Sequence, residues 1–556
     1  MKLSFFILLN FFFLSFLHAS SVVYTSSGDV VGSPHNGIVL YEDIPYAQPP
    51  IGDLRWKAPK NISTKTKIYP KQDNYCIQRP SNLGGVSGED FYVGSEDCLY
   101  LDIFAPKNTK NESLPVMVWI HGGGNTSGLK DLYDFSKIVG KHKVVVVRIN
   151  YRLGPFGWFT HPSIQGLQYG EDKTSNFGTL DIIMALKWVK NNIQKFGGDS
   201  NNVTIFGESA GGHNVLSLLV SKQAKGLFHK AISMSGYLTS SSLEDAYNPK
   251  KASSTSEYSS ISVLTKLSKK FDIESFPGDS KHEQEREMLY SLTAKEFFEI
   301  YAERESYEEL PLLTNDGIVI PKIGLEKALS RNDHVNFVPT IAGSNRDEVK
   351  LWLSTARYFV DIDYSLIGSV LDIPKVFLTN EESFDAFNYY RSMAWRVRGV
   401  DSPLMALSNA GNNDLYSYRY DWDDHRRHVI ADFKKLIGAA HATEIPLLTG
   451  NNDLVGGYPL SDLIYPPSFS KRFTSKNMMK LWANFAKTGS PGKSTNSIEW
   501  KKYLSDKETK SYLVIDKRRK LKMISESITL DSLASDLFQD DRLNNLEKCV
   551  VLLQIF

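Results

Sequence analysis

The chain has 556 residues, 42% of them hydrophobic and 23% charged, with 64 Lys and Arg against 63 Asp and Glu for a net charge of +1. Such a chain can bury a large core, and no linker or repeat divides it. The charge balance gives no sign of a nucleic-acid or strongly acidic partner.

At the start, Lys2 and the apolar run Leu3 to Leu17, followed by the small residues Ala19, Ser20 and Ser21, predict a secretory signal peptide over residues 1–19. The run is short for a membrane span of about 20 residues, and no later stretch is apolar enough to cross a bilayer. A secreted or periplasmic location is the expectation, with no stable membrane span.

The mature chain opens on a β-rich segment, Val22 to Leu40. Apolar strand runs then follow at Leu114 to Ile120, Val144 to Ile149, Val203 to Phe206, Lys230 to Met234, Val338 to Ala342 and Leu415 to Tyr420. Runs apolar throughout imply a mostly parallel sheet covered on both faces. Helical spacing marks Asp181 to Lys195 and Ala210 to Val220 between them. The serine-rich stretch Ser240 to Ser260 reads as a mobile surface loop, and the charged stretch Asp421 to Arg427 as a solvated one.

Two motifs carry chemistry. Gly207, Glu208, Ser209, Ala210 and Gly211 place a serine between a β-branched strand and a helix, the pattern of a nucleophile elbow. By itself a Gly-x-Ser-x-Gly match turns up by chance in roughly one in five chains of this length. The strand Leu114 to Ile120, however, runs into His121, Gly122, Gly123 and Gly124, an oxyanion-loop signature matched by chance about once in a few hundred chains. Gly123, Gly124 and Ala210 are the candidate backbone donors to a developing oxyanion.

Serine needs a base, and the chain order serine, acid, histidine leaves His229, His282, His334, His425, His428 and His441. His441 is preferred, because Gly438, Ala439, Ala440 and Ala442 would let its ring approach a buried serine closely. The strand ending at Ala342 leads to Asp347 and Glu348, between which spacing does not choose.

Longer motifs now resemble the type-B carboxylesterase and lipase family, which also holds the cholinesterases and the non-catalytic neuroligins. They are Ile44 to Pro50 with Leu54, Arg55 and Trp56; Ser95 to Leu101; Asn150 to Gly154; Phe196 to Asp199; Gly438 to Pro446; and Trp482, Asn484, Phe485, Ala486 and Gly489. The resemblance covers nearly the whole mature chain. It implies one α/β-hydrolase domain over residues 20–556, a mostly parallel sheet flanked by helices with long insertions. It further implies a Ser209, Glu348, His441 triad, a structural Asp347, an oxyanion hole of Gly123, Gly124 and Ala210, and ion pairs Arg55–Glu96 and Arg152–Asp181. The activity implied is hydrolysis of small-molecule carboxylic esters with no metal or organic cofactor.

Export makes disulfides sustainable, and Cys76 and Cys98 are expected to pair, closing a loop that the resemblance puts at the rim of the active-site gorge. Cys549 is left over as a free thiol, a buried apolar residue or one half of an intermolecular bridge, the first two preferred. Three departures from the family stand out. Asp43 replaces a usual glycine; His213 and Asn214 stand where small residues and a serine are usual, which predicts different hydrogen bonding around the acid; and no tryptophan lies between Cys76 and Cys98, which speaks against choline esters. Of the Asn-x-Ser/Thr triplets at Asn61, Asn111, Asn125 and Asn202, Asn125 abuts the oxyanion loop, where a sugar would not fit.

Overall fold

The computed structural model describes residues 22–556 apart from 64, 71–73, 82–84, 110, 249–257, 273–279, 303–309, 311, 364–374, 429, 453–460, 462–463 and 505–509. The signal peptide expected over 1–19 therefore lies outside the described residues.

Eleven strands form the main sheet: β1 (Ser33–His35), β2 (Ile38–Pro45), β3 (Tyr100–Ala105), β4 (Leu114–Ile120), β5 (Val145–Ile149), β6 (Gly198–Glu208), β7 (Lys230–Met234), β8 (Thr340–Asn345), β9 (Leu415–Tyr420), β10 (Ser511–Ile515) and β11 (Lys522–Ser525). Their order is β11-β10-β9-β8-β7-β6-β4-β5-β3-β2-β1. From β5 through β10 every neighbouring pair is parallel, whereas both ends of the sheet are antiparallel.

Burial on both faces explains the uninterrupted apolar runs. Along β4, Val116, Val118 and Ile120 pack into one cluster with residues of α1 (Phe177–Asn192) and α2 (Ala210–Val220). Met117 and Trp119 point the other way, onto a cluster fed by α4 (Phe469–Thr488), which follows α3 (Glu381–Arg396) in the chain. The alternation is the strand period of two.

Several element boundaries differ from the sequence reading. β6 starts at Gly198, five residues earlier than the apolar run, because Gly198 pairs with Leu114. β8 starts after Pro339 and reaches Asn345, held by the β9 ladder. The helix expected over Asp181 to Lys195 begins at Phe177 and yields to a 3-10 turn at Ile193–Phe196. The serine-rich stretch is not a loop throughout. Ser242 caps a short helix, Leu243–Tyr247, by accepting from Asp245 N–H at 3.0 Å, and another helix starts at Ser260; residues 249–257 are outside the described set.

Charge pins the antiparallel end. Lys130, with a fully buried ammonium, lies 2.8 Å from Asp43, 3.0 Å from Asp102 and 2.9 Å from Asp131, and Arg148 Nε donates to Asp102 at 2.7 Å. Asp43 sits at φ 56, a backbone region that favours glycine and that Asp tolerates, and its carboxylate also accepts from Asn74. Arg55–Glu96 and Arg152–Asp181 form two-pronged pairs with contacts of 2.6 to 2.7 Å. Cys76 and Cys98 are bridged. Cys549 is free and exposed on the last helix, α5 (Asn545–Ile555), and is not buried. No helix among the described residues is long and apolar enough to cross a membrane.

Candidate active site

β6 delivers Glu208 to the carboxyl end of the parallel strands, and the chain reverses at Ser209 with φ 59 and ψ −122 before α2 begins. That conformation is strained for a residue with a side chain, and the turn is held by Ser209 N–H donating to Met234 O at 2.9 Å and His213 N–H donating to Ser209 O at 2.9 Å. Glycine is required on both sides. A Cβ at Gly211 would lie 2.0 Å from Ile120 O, and one at Gly207 would lie 2.6 Å from the same atom. The Ser209 hydroxyl does not cap α2, and the residue is half-buried.

Beside it runs the loop leaving β4. Gly123 has φ +97, and a Cβ there would lie 2.2 Å from Ser127 O. Among the described residues, none of the N–H groups of Gly123, Gly124 and Ala210 donates to another protein group. At the neck of the loop, burial holds His121 down to about 4 against the effect of the Gly122 carbonyl, so Nδ1–H of the neutral ring donates to Gly122 O at 2.8 Å.

His441 comes from the loop after Gly438. Its Nδ1–H donates to Glu348 Oε2 at 2.6 Å, and its N–H donates to Glu348 O at 3.1 Å. Glu348 Oε1 accepts from Ser235 Oγ at 2.6 Å and from Asn345 N–H at 2.7 Å. Asp347 points elsewhere. It pairs with Arg346 at 2.6 Å and accepts from Ala439 N–H at 2.9 Å and Asn388 Nδ2 at 2.8 Å, fastening the loop that carries His441. Burial raises the Asp347 carboxyl, yet Arg346 and Lys350 outweigh it and hold the group below its usual range.

The other ring nitrogen faces the elbow. His441 Nε2 lies 3.1 Å from Glu208 Oε1, which is off the line of a hydrogen bond, so the contact is one of charge. Burial works against the imidazolium, but Glu208 and Glu348 outweigh it and raise His441 to about 9. Burial also pushes Glu208 up, to about 7, with His441 opposing and Glu348 adding. Glu444, fully buried, is pushed up to about 8 by burial and by Glu208 and Glu348, and accepts from Asn345 Nδ2 at 2.5 Å. Trp352 and Trp395, stacked on each other with centroids 5.8 Å apart, lie beside the imidazole with ring centroids 5.1 and 5.0 Å from it.

The remaining histidines lie elsewhere. His425 is not in a solvated loop. It is buried, with one ring nitrogen 2.7 Å from Gly438 O and the other 3.1 Å from Ile464 O, because Arg346, Lys434 and Lys517 draw Asp423 and Asp424 outward and let Trp422 and His425 turn in. His213 and Asn214 do not reach the acid either. His213 Nε2–H donates to Thr239 O at 2.8 Å, and Asn214 Nδ2 donates to Asn125 Oδ1 at 2.8 Å. Asn125 is buried in that contact and lies 3.1 Å from Tyr151 Oη. Glu444, Trp352 and Trp395 escaped the sequence reading; only Glu444 carried a signal, as a carboxylate three residues after the histidine.

Among the described residues no cluster of three or more His, Cys, Asp and Glu side chains is arranged to hold a metal. Residues 19–365 and 397–531 match the Carboxylesterase family. A para-nitrobenzyl esterase of Bacillus subtilis (strain 168) is 32% identical over 516 residues, which span 89% of this chain and 94% of that one. Carboxylesterase 1E of Rattus norvegicus is 32% identical over 519 residues, spanning 85% and 87%. A solved PNB esterase structure superposes with a TM-score of 0.69 at 28% identity, covering 96% of this chain and 99% of that one.

Proposed function

The chain belongs to the carboxylesterase family and is a carboxylic ester hydrolase, and we propose that it cleaves its esters through a Ser209, His441, Glu348 triad and an acyl-enzyme intermediate. One observation carries this reading: Glu348 fixes Nδ1 of His441 at 2.6 Å, leaving Nε2 turned toward the elbow that presents Ser209.

In this mechanism His441 Nε2 takes the Ser209 proton as Oγ attacks the ester carbonyl. Glu348 fixes the tautomer and, with Glu208, stabilises the imidazolium. The N–H groups of Gly123, Gly124 and Ala210 receive the oxyanion, and the N-terminus of α2 adds positive potential there. The imidazolium then protonates the departing alcohol, and water repeats the cycle on the acyl-enzyme. Trp352 and Trp395 offer the substrate group beside the imidazole an aromatic, apolar surface, which suits bulky acyl or alcohol groups.

Residues 20–556 act as one catalytic unit, exported by the leader over 1–19. The Cys76–Cys98 bridge supports an oxidising destination. The test is hydrolysis of a chain-length series of p-nitrophenyl esters by the protein and by Ser209→Ala, with organophosphonate labelling alongside. Activity and labelling are expected to vanish together in the variant; wild-type protein that is folded but neither hydrolyses nor labels refutes the triad. N-terminal sequencing of the secreted form is expected to begin near Ser20.

A further inference from the structure

We propose that Gln78, anchored in the bridged 76–98 loop, is a positioning residue that fixes the register of the oxyanion loop by clamping Gly128. Its side-chain amide grips both backbone groups of one residue. Gln78 Oε1 accepts from Gly128 N–H at 2.8 Å, and Nε2 donates to Gly128 O at 2.9 Å and to Cys76 O at 3.0 Å. Gln78 is fully buried. A primary amide, with a donor and an acceptor in one plane, is the group that can make this double contact.

The clamp has a rigid base. Cys76 is bridged to Cys98, Gln78 exchanges two backbone hydrogen bonds with Val93 at 3.0 and 2.9 Å, and Ser95 N–H donates to Tyr75 O at 3.0 Å. What it grips is packed directly on the signature glycines. A Cβ at Gly128, where φ is +115, would lie 2.4 Å from His121 Nδ1 and 2.6 Å from Gly122 O. Between the two, Gly123 O accepts from Thr126 N–H at 3.0 Å and from Ser127 N–H at 2.9 Å. Tyr151 stacks on His121 with centroids 4.5 Å apart, and its Oη donates to His121 O at 2.8 Å. The turn that presents Gly123 and Gly124 is thus held at one end by Tyr151 and at the other by Gln78.

Oxyanion donors act only within about 2.7 to 3.1 Å of the developing charge, and a misplacement of about 1 Å costs on the order of 100-fold in rate. Gln78→Met, similar in volume and without the amide, is therefore expected to lower kcat by about 10- to 100-fold with KM within about twofold of wild type. Affinity for a trifluoromethyl ketone, whose serine adduct carries the oxyanion, is expected to fall by the same factor as kcat. Circular dichroism is expected to keep the wild-type spectrum, while the thermal midpoint falls because Gly128 N–H, Gly128 O and Cys76 O lose their buried partner. A role in packing alone would leave the ketone affinity tied to KM rather than to kcat.

The proposal rests on Gly123 and Gly124 being oxyanion donors, and the two fail differently. Wild-type protein that hydrolyses esters but does not take up the ketone overturns both. Folded Gln78→Met with wild-type kcat and ketone affinity, or with the whole loss in KM, overturns the clamp alone. Should Gln78→Met not fold, Gln78→Glu, which keeps the acceptor for Gly128 N–H and loses the donor to Gly128 O and Cys76 O, is expected to show the same kcat and ketone losses. Failure of both variants to fold makes the clamp a fold element and overturns the assignment.

Discussion

The protein buries two clusters of charge that differ in balance. Around Lys130 two fixed cations, Lys130 and Arg148, meet the buried Asp43 and Asp102 and the exposed Asp131, and each cation lies within 3.0 Å of a carboxylate. Around His441 three buried glutamates, Glu208, Glu348 and Glu444, share one imidazole. Burial disfavours charge in both places, but the outcomes oppose each other. At Asp102 it is outweighed by Lys130 and Arg148, which hold the carboxyl low, and at Lys130 by Asp102 and Asp131, which raise the ammonium. At Glu208 and Glu444 burial wins, and both titrate near neutrality. A cluster with resident cations stays ionised and serves the fold; one whose cation is itself titratable holds protons that can move during a reaction.

Breaking each cluster should expose that division. The largest effect is expected from Glu348→Gln, which keeps the shape but no longer selects the right tautomer of His441 or stabilises its cation; kcat should drop by about 10³- to 10⁴-fold. Steady-state kinetics with a p-nitrophenyl ester check this, and a loss under tenfold would deny Glu348 its part. Next comes Lys130→Met, which leaves Asp43 and Asp102 short of a partner and should cost about 3 to 5 kcal/mol of stability. Urea midpoints measure it, with the kcat of the surviving folded fraction at the wild-type value.

Smallest in free energy, but sharpest for the comparison, is Glu208→Gln. Its carboxylate is the strongest of the neighbours that raise His441. Removing that negative charge lowers the imidazolium pKa, so the neutral base persists to lower pH and the acid limb of kcat/KM should move down by about one unit, or roughly 1.4 kcal/mol. An upward shift or none would mean that the contact is not one of charge. In stability the sign is fixed the same way. The raised His441 favours the fold fully below its unfolded value near 6.5, and that contribution is lost as pH rises through about 9.

Legibility divides along similar lines. The elbow and the glycine loop could be read because backbone strain demands particular residues at fixed spacing: Gly207 and Gly211 crowd Ile120 O, and Gly123 crowds Ser127 O. The parallel strands were legible because both faces are covered. Spacing left Asp347 and Glu348 open because the turn after β8 decides which carboxylate faces the histidine, and Arg346 and Ala439 take Asp347. His425 misled because the charges around it turn outward while its own ring turns in. Trp352, Trp395 and Gln78 belong to segments whose meeting with the site is a matter of tertiary packing, on which neither periodicity nor motif bears.

The strand order has a bearing on how the molecule is made. From β6 to β10 each strand pairs with the next strand of this sheet in the chain, so during synthesis the sheet grows outward and every new strand becomes its provisional edge. His441 emerges after β9, but the edge of β9 stays uncovered until β10 and the antiparallel β11 arrive some seventy residues later, at Ser511–Ile515 and Lys522–Ser525. A ribosome-bound chain thus passes through an interval in which the side chains of the proposed triad are all synthesised while an open parallel edge is offered to any passing strand. That interval is where a chaperone has the most to protect.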